Sequence, residues 1–432
     1  MALAAEGGLF YEFNLDFPDP GGGKVRRRIF LQGLGGAIAA PAILSRRSFA
    51  AERAPLTGGL PQGDYDTATL EALPGKRPLI RLTTRPPNYE TPTSYFDTPF
   101  TSNDAFFVRY HLAGIPPRID VQQWKLDVGG EGVSTPLQLT FADLQRNYEQ
   151  VEIPAVCQCS GNRRGLSNPH VPGVQWGLGA MGGARWRGPR LKDVLGKAGL
   201  KMGVVEIVAD GADGPVLNGT PDFVKSVPLA KAMDENTIIA LQMNGQDLPH
   251  FNGYPARLII PGWTATYWVK HLTSIQAVNK PFDGFWMKGA YRIPTGMFAT
   301  VQRFASQENE TNTPITEMVV NSLIVTPSDN ARVRMGETVN VTGLAWDGGY
   351  GIRSVAVSID GGMNWHEATL GNDLGRFAFR AWSYRFTADT AGARNILARA
   401  TNRLGETQVD TLIFNPAGYH NNVIRPTSIV VA

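Results

Sequence analysis

With two cysteines in 432 residues, Cys157 and Cys159 separated only by Gln158, most of what cysteine can build is ruled out. A disulfide framework would spread its cysteines along the chain, and a Cys-x-Cys ring is too tight for relaxed disulfide geometry. Structural zinc wants four ligands, but there is no second cysteine pair and the six histidines are scattered at 111, 170, 250, 271, 366 and 420. No C-x-x-C-H haem attachment occurs, and no flavin or nicotinamide fingerprint, that is, no glycine-rich turn between a strand and a helix. Charge of one sign is also scarce. Forty-one Lys and Arg against 38 Asp and Glu leave +3, too little to argue for a nucleic-acid partner, so any anion site must be local. No apolar run reaches the roughly twenty residues that a membrane span needs. What remains for the cysteine pair is one thiolate bound to something else.

Glycine (48) and proline (30) are abundant without a repeat period, which points to many turns and a β-rich globular body of two or three domains. At the N-terminus, Lys24-Val25-Arg26-Arg27-Arg28-Ile29-Phe30-Leu31 leads into a weakly apolar run broken by Gln32, glycines and Pro41, then into Ser48-Phe49-Ala50 before Ala51. This order is that of a twin-arginine export signal over residues 1–50, cleaved near Ala50. It predicts export of a folded, cofactor-loaded protein to the periplasm by the twin-arginine machinery.

Residues 51–100, rich in Pro, Thr and Gly, suggest an extended wrapping segment. From Ala105 to about Pro281, strand-like runs at Trp124–Val128, Val151–Val156, Val204–Val208 and Arg257–Ile260 mix irregularly with helical stretches at Phe141–Arg146 and Leu191–Ala198. That pattern predicts an α+β body and disfavours a doubly wound nucleotide fold. From about Glu317, short alternating runs recur near every ten residues: Val319-Val320, Leu323–Val325, Val339–Thr342, Val355–Ile359, Phe377–Tyr384 and Ile396–Ala400. With a hairpin turn at Asp360-Gly361-Gly362, they predict an all-β immunoglobulin-like sandwich of about seven strands. The expected domains are therefore 51–310 and 311–432, joined by a polar linker at Phe304 to Thr313.

The string Cys157-Gln158-Cys159-Ser160-Gly161-Asn162-Arg163-Arg164 follows an apolar strand. Gly161 and Asn162 favour a sharp turn that would bring Arg163 and Arg164 beside Cys159, and guanidinium charge near a thiol favours the thiolate. On these residues alone, a buried structural thiol with surface arginines is the favoured reading.

Beyond that string, Ala155 to Leu195 carries Trp176, Gly179-Ala180, Ala184-Arg185-Trp186 and Gly188-Pro189-Arg190-Leu191-Lys192-Asp193-Val194-Leu195. Together with Phe107-Val108-Arg109-Tyr110-His111, Asn252-Gly253-Tyr254-Pro255-Ala256-Arg257, Pro261-Gly262 and Ser358-Ile359-Asp360-Gly361-Gly362, it resembles the sulfite oxidase family of molybdenum enzymes, of the bacterial sulfite dehydrogenase type. The likeness runs in order along the whole chain after the leader. It implies one molybdenum-pterin cofactor with oxo ligands, and Cys159 as the protein's metal ligand, a soft thiolate suited to a metal already held by sulfur. Arg109 and Arg164 are implied as the cations that hold sulfite, Tyr291 as an active-site phenol, and His111 as a hydrogen-bonding neighbour of the metal. For the pterin, the resemblance suggests Phe107, Val108, Arg109, His111, Asn252, Arg257, Trp268, Val269 and Lys270.

Three departures stand out. Asn252 stands where many relatives have His, Pro172-Gly173-Val174-Gln175-Trp176 lacks a cation that animal relatives carry, and His420-Asn421-Asn422-Val423 occupies a region where those relatives place another Arg. With no redox cofactor besides molybdenum expected in the chain, electrons from sulfite are expected to leave to a separate acceptor such as a periplasmic c-type cytochrome. The sandwich resembles the family's dimerisation domain and implies a homodimer. Sulfane dehydrogenation, or sulfoxide or nitrate reduction on the same framework, are the rival activities.

Overall fold

A computed structural model describes residues 69–298 and 312–432. The expected export signal lies outside the described residues, as does the expected linker up to residue 311. The linker's last two residues belong to the strand Asn312–Pro314, which pairs antiparallel with Arg292–Pro294. Among the described residues no helix is long and apolar enough to cross a membrane.

Residues 69–109 are more than a wrapping segment. Thr69–Glu71, Leu79–Thr83, Asn88–Glu90 and Val108–Arg109 form a four-stranded antiparallel sheet. Strands of two to five residues, broken by prolines, are too short to show alternation in sequence. The sheet buries Leu79, Tyr89, Val108 and Tyr110 in a small core and sets Arg109 opposite Asn88.

The α+β body centres on a long hairpin, Gln150–Gln158 against Met181–Pro189, in continuous register from Gln150↔Pro189 to Gln158↔Met181. Beside it lies a five-stranded mixed sheet in the order Lys225–Pro228, Glu206–Gly211, Leu272–Val278, Lys125–Gly129 and Leu137–Thr140; the third and fourth strands run parallel. Both expected helices form at Phe141–Arg146 and Leu191–Ala198. Thr140 and Asp143 make a reciprocal capping box at the start of the first. The second buries Leu191, Val194, Leu195 and Ala198, one helical face, and stops at Gly199 in a left-handed conformation. One string, Gly177 to Gly182, has the dinucleotide glycine spacing, but it runs into the strand Met181–Pro189 instead of a helix.

The C-terminal part is two sheets of four and five strands around a shared core that includes Val341, Val355, Val357, Trp382 and Ile396. Nine strands stand where about seven were expected. Ala331–Val333, His366–Glu367 and Thr369–Leu370 are too short to read from sequence. Phe377 and Phe379, expected to begin a strand, instead precede Arg380–Thr387 and pack onto the α+β body: the Val156 amide donates to the Phe377 carbonyl at 2.9 Å, and Phe379 meets Phe96 and Trp346 edge to face. Trp346 Nε1 also donates to Gln158 Oε1 at 2.7 Å. The sandwich is thus packed directly against the strand that leads into Cys159.

Candidate active site

The hairpin strand ends at Gln158, and Cys159 is the first residue beyond it. The Cys159 amide donates to the Ala180 carbonyl at 2.9 Å, and the Cys159 carbonyl accepts from the Asn162 amide at 3.0 Å, closing the turn. Asn162 Oδ1 returns to the Ala180 amide at 3.1 Å. A Cβ at Gly161 would lie 2.7 Å from the Arg164 guanidinium carbon, so a side chain there would displace that guanidinium. The left-handed residue of the turn is Arg163, at φ 68°, and this separates two adjacent arginines. Arg163 runs into the sandwich and donates to the carbonyls of Ser322 (2.6 Å) and Val423 (3.2 Å), so the expectation that both arginines flank the thiol is corrected.

A buried carboxylate holds this turn from behind. Glu90 accepts from the amides of Gly177 at 2.6 Å and Gly179 at 2.8 Å, while the carbonyls of Trp176 and Gly177 accept from the amides of Gly165 and Arg163. Burial pushes the Glu90 carboxyl up to about 7 against the pull of those amides. At Gly179 a Cβ would sit 1.8 Å from the Thr91 carbonyl oxygen, so only glycine lets the two segments meet.

Cys159 opens into a cavity of about 560 Å³. Of the residues expected from sequence, Phe107, Arg109, His111, Cys159, Asn252, Arg257, Trp268, Lys270 and Tyr291 line it. Val108 and Val269 do not; both are buried in packing. Nor does Arg164 line it: its Nε donates to the Ala417 carbonyl at 2.7 Å and its Nη1 to that of Val174 at 3.2 Å. Ser160, Asp213, Phe223 and Thr266 line the cavity without having been anticipated.

Within the cavity, Arg109, His111 and Tyr291 form one hydrogen-bonded unit. The Tyr291 hydroxyl meets His111 Nε2, and Arg109 Nη2 donates to the same hydroxyl at 3.5 Å. Arg109 Nη1 is held by Asn88 Oδ1 at 3.1 Å and by the Tyr110 carbonyl, which leaves Nε buried without a partner. Burial and the cations Arg109, Lys270 and Lys225 hold His111 well below the usual imidazole range, and burial raises the Tyr291 phenol. With the imidazole neutral and the phenol protonated, the His111 tautomer that carries its proton on Nδ1 accepts from Tyr291 at Nε2. The His111 ring stacks on Phe223, centroids 3.6 Å apart, and Trp286 meets both rings edge to face.

Arg257 spans the floor, donating to the carbonyls of Trp268 (3.1 Å) and Asn252 (3.2 Å) and to Cys157 Sγ at 3.6 Å. Cys157 is fully buried and its thiol is pushed up to about 11, mainly by burial. The Asn252 side chain is occupied at both ends: Oδ1 accepts from Lys76 Nζ at 2.5 Å and Nδ2 donates to the Phe107 carbonyl at 3.0 Å. Lys76 is itself buried and lowered to about 7, chiefly by desolvation. Sequence reasoning had no signal for Lys76 or Glu90, which stand in the proline-rich segment without periodicity.

The donor set suits an anionic, sulfur-ligated cofactor. Three cations, Arg109, Arg257 and Lys270, share the cavity with one acid, Asp213, and two lining groups, Arg109 Nε and Thr266 Oγ1, are buried without partners. Among the described residues no group of three or more His, Cys, Asp or Glu could hold a metal by itself, so a metal here needs ligands from a cofactor.

Comparison with known proteins agrees. Residues 112–286 match the oxidoreductase molybdopterin binding domain, and residues 312–430 match the Mo-co oxidoreductase dimerisation domain. Mitochondrial sulfite oxidase of Rattus norvegicus is 32% identical over 366 residues, 81% of this chain; the chain spans 65% of the rat protein's length. Sulfite oxidase of Gallus gallus is 30% identical over 353 residues, covering 78% of this chain and 75% of that protein. Among solved structures, the sulfane dehydrogenase SoxCD of Paracoccus pantotrophus is similar with a TM-score of 0.68 at 26% identity, over 88% of this chain and 92% of that one. The chain belongs to the sulfite oxidase family of molybdenum oxidoreductases.

Proposed function

We propose that this protein oxidises sulfite to sulfate in the periplasm, as a homodimer paired through its immunoglobulin-like sandwich, and passes the electrons to a separate acceptor such as a c-type cytochrome. The observation that carries the reading is one cavity holding both the Cys159 thiol and the Arg109–Tyr291–His111 unit. The balance is sulfite plus water giving sulfate, two protons and two electrons. Cys159 would hold the molybdenum, with Arg257, Lys270 and the Asn252 region around the pterin. The bound cofactor supplies oxygen-atom transfer and takes the electron pair.

The remaining work falls to the chain. Arg109, whose Nη2 reaches the Tyr291 hydroxyl within the cavity, offers the oxyanion a charged donor, worth on the order of 2–4 kcal/mol at the barrier. Tyr291 orients an oxygen through its hydroxyl, and the neutral His111 ring holds that hydroxyl in place. Sulfane dehydrogenation is the second reading, favoured by the likeness to SoxCD over nearly the whole of both chains. The test is molybdenum per chain in protein from cofactor-replete cells, with sulfite-dependent reduction of ferricyanide or cytochrome c. Protein without molybdenum would sink the reading; metal without sulfite turnover, but with turnover of a sulfane substrate, would transfer it to the second.

A further inference from the structure

The C-terminal segment of the sandwich reaches the site through a built turn. Asn415 Oδ1 accepts from the Tyr419 amide at 2.9 Å, and its Nδ2 donates to the Tyr419 carbonyl at 2.8 Å. Gly418, at φ 62°, packs so closely that a Cβ would lie 2.7 Å from Val171 Cγ2 and 2.9 Å from Arg164 Cγ. The turn presents two groups to Arg164: the Ala417 carbonyl accepts from its Nε at 2.7 Å, and the Tyr419 ring lies 5.4 Å from its guanidinium carbon. The other face of this contact is Tyr291, stacked on Tyr419 with centroids 5.6 Å apart and planes within 10°. Two residues on, Asn421 Nδ2 donates to the Arg163 carbonyl at 3.1 Å, tying the same segment to the Cys159 turn.

We propose that Tyr419 is a positioning residue of the active site: its ring fixes the plane of Tyr291, and so sets how tightly the cavity holds a sulfur oxyanion, while it also anchors the Arg164 guanidinium outside the cavity lining. Tyr419 does not line the cavity and acts on it only through Tyr291. A cation–π contact and a ring stack are both planar requirements, so a side chain of similar volume without a ring cannot replace them. The inference rests on reading the cavity as a sulfur-oxyanion site.

The test uses the full-length holoprotein with Tyr419→Phe and Tyr419→Met, following sulfate binding by intrinsic tryptophan fluorescence and sulfite kinetics in the steady state. Tyr419→Phe should stay within about twofold of the parent, while Tyr419→Met should raise both the sulfate Kd and the sulfite KM about five- to tenfold, with kcat changed less than about threefold. Adding Tyr419→Met to Tyr291→Phe should cost less than the product of the single effects, because Tyr419 acts through the Tyr291 hydroxyl. Unchanged Kd and KM in Tyr419→Met of normal molybdenum content would overturn the proposal, as would a loss confined to thermal stability. If Tyr419→Met fails to accumulate, Tyr419→His provides a smaller ring, for which an intermediate rise is expected and an unchanged Kd is equally fatal. A parent that binds sulfate without oxidising sulfite would defeat the functional reading while leaving the Kd comparison to decide this one.

Discussion

Tyr291 places its hydroxyl against Nε2 of His111, 180 residues earlier in the chain, and does so from a left-handed backbone at φ 59°. For a residue with a Cβ such a conformation costs about 1–3 kcal/mol, and here packing holds it: Tyr419 stacks on the ring and Lys225 Nζ lies 5.2 Å from its centroid. Tyr291→Phe keeps that packing and removes only the hydroxyl. It should lower kcat/KM for sulfite about 10- to 100-fold, with thermal stability reduced by no more than the ~1–2 kcal/mol of an unpaired imidazole nitrogen. Loss of stability and molybdenum together, without a separable kinetic effect, would make the phenol a packing group.

The two cysteines are both buried but face different ways. Cys157 points into the core against Arg257, with a thiol kept protonated at neutral pH, whereas Cys159 faces the cavity. Cys159→Ser should therefore abolish molybdenum retention and turnover, and Cys157→Ser should keep both within about threefold, since it exchanges one small buried group for another. Equal loss in metal analysis of the two variants would refute this division of roles.

Glu90 makes a prediction about pH. Its folded-state value, near 7, lies above the 4.5 of an exposed carboxyl, so the folded state holds the proton more tightly. The stability this confers is fully present below 4.5 and is lost as pH rises toward 7. Glu90→Gln removes the titration and leaves one of the Gly177 and Gly179 amides facing a donor, for a pH-independent cost of about 1–3 kcal/mol. Denaturant unfolding at pH 5 and pH 8 should show the parent's advantage shrinking at the higher pH; parallel profiles would contradict it.

What was legible in the sequence tracks local patterning. The helix Leu191–Ala198 and the hairpin strand before Cys159 appeared because their apolar periods are long enough to see. Arg109, His111, Cys159 and Tyr291 were found through motif strings, and the fold does collect them around one cavity. Arg163 and Arg164, adjacent in sequence, were told apart only by the resemblance, which singled out Arg164; neither lines the cavity, and their divergence depends on a single positive φ. Lys76, Glu90 and Tyr419 were missed for another reason. Each is an isolated residue in an irregular stretch, and its partners lie far away along the chain: Asn252 for Lys76, the Gly177–Gly179 amides for Glu90, Arg164 and Tyr291 for Tyr419. Only tertiary structure supplies those neighbours.

Two buried histidines give opposite outcomes from the same shift. Burial lowers both His271 and His420 to about 3, so each stays neutral in the fold while the unfolded chain takes up protons near 6.5. Their stability is present above 6.5 and is lost as pH falls toward 3. His271 is bonded at both nitrogens, to the Tyr110 hydroxyl and the Tyr254 carbonyl, each at 2.7 Å. Among the described residues neither nitrogen of His420 has a partner, and its ring meets Phe298 edge to face at 4.7 Å. His420→Phe should therefore flatten the acid limb of the stability profile and, at pH 7, stabilise by up to about 1–2 kcal/mol, because an unsatisfied polar group gives way to a ring of similar shape. His271→Phe also removes a titration, yet it strands a buried hydroxyl and a carbonyl and should destabilise by about 2–4 kcal/mol at pH 7. Melting curves of both variants between pH 4 and 8 decide the matter, and destabilisation by His420→Phe at neutral pH would show that its ring nitrogens have partners after all.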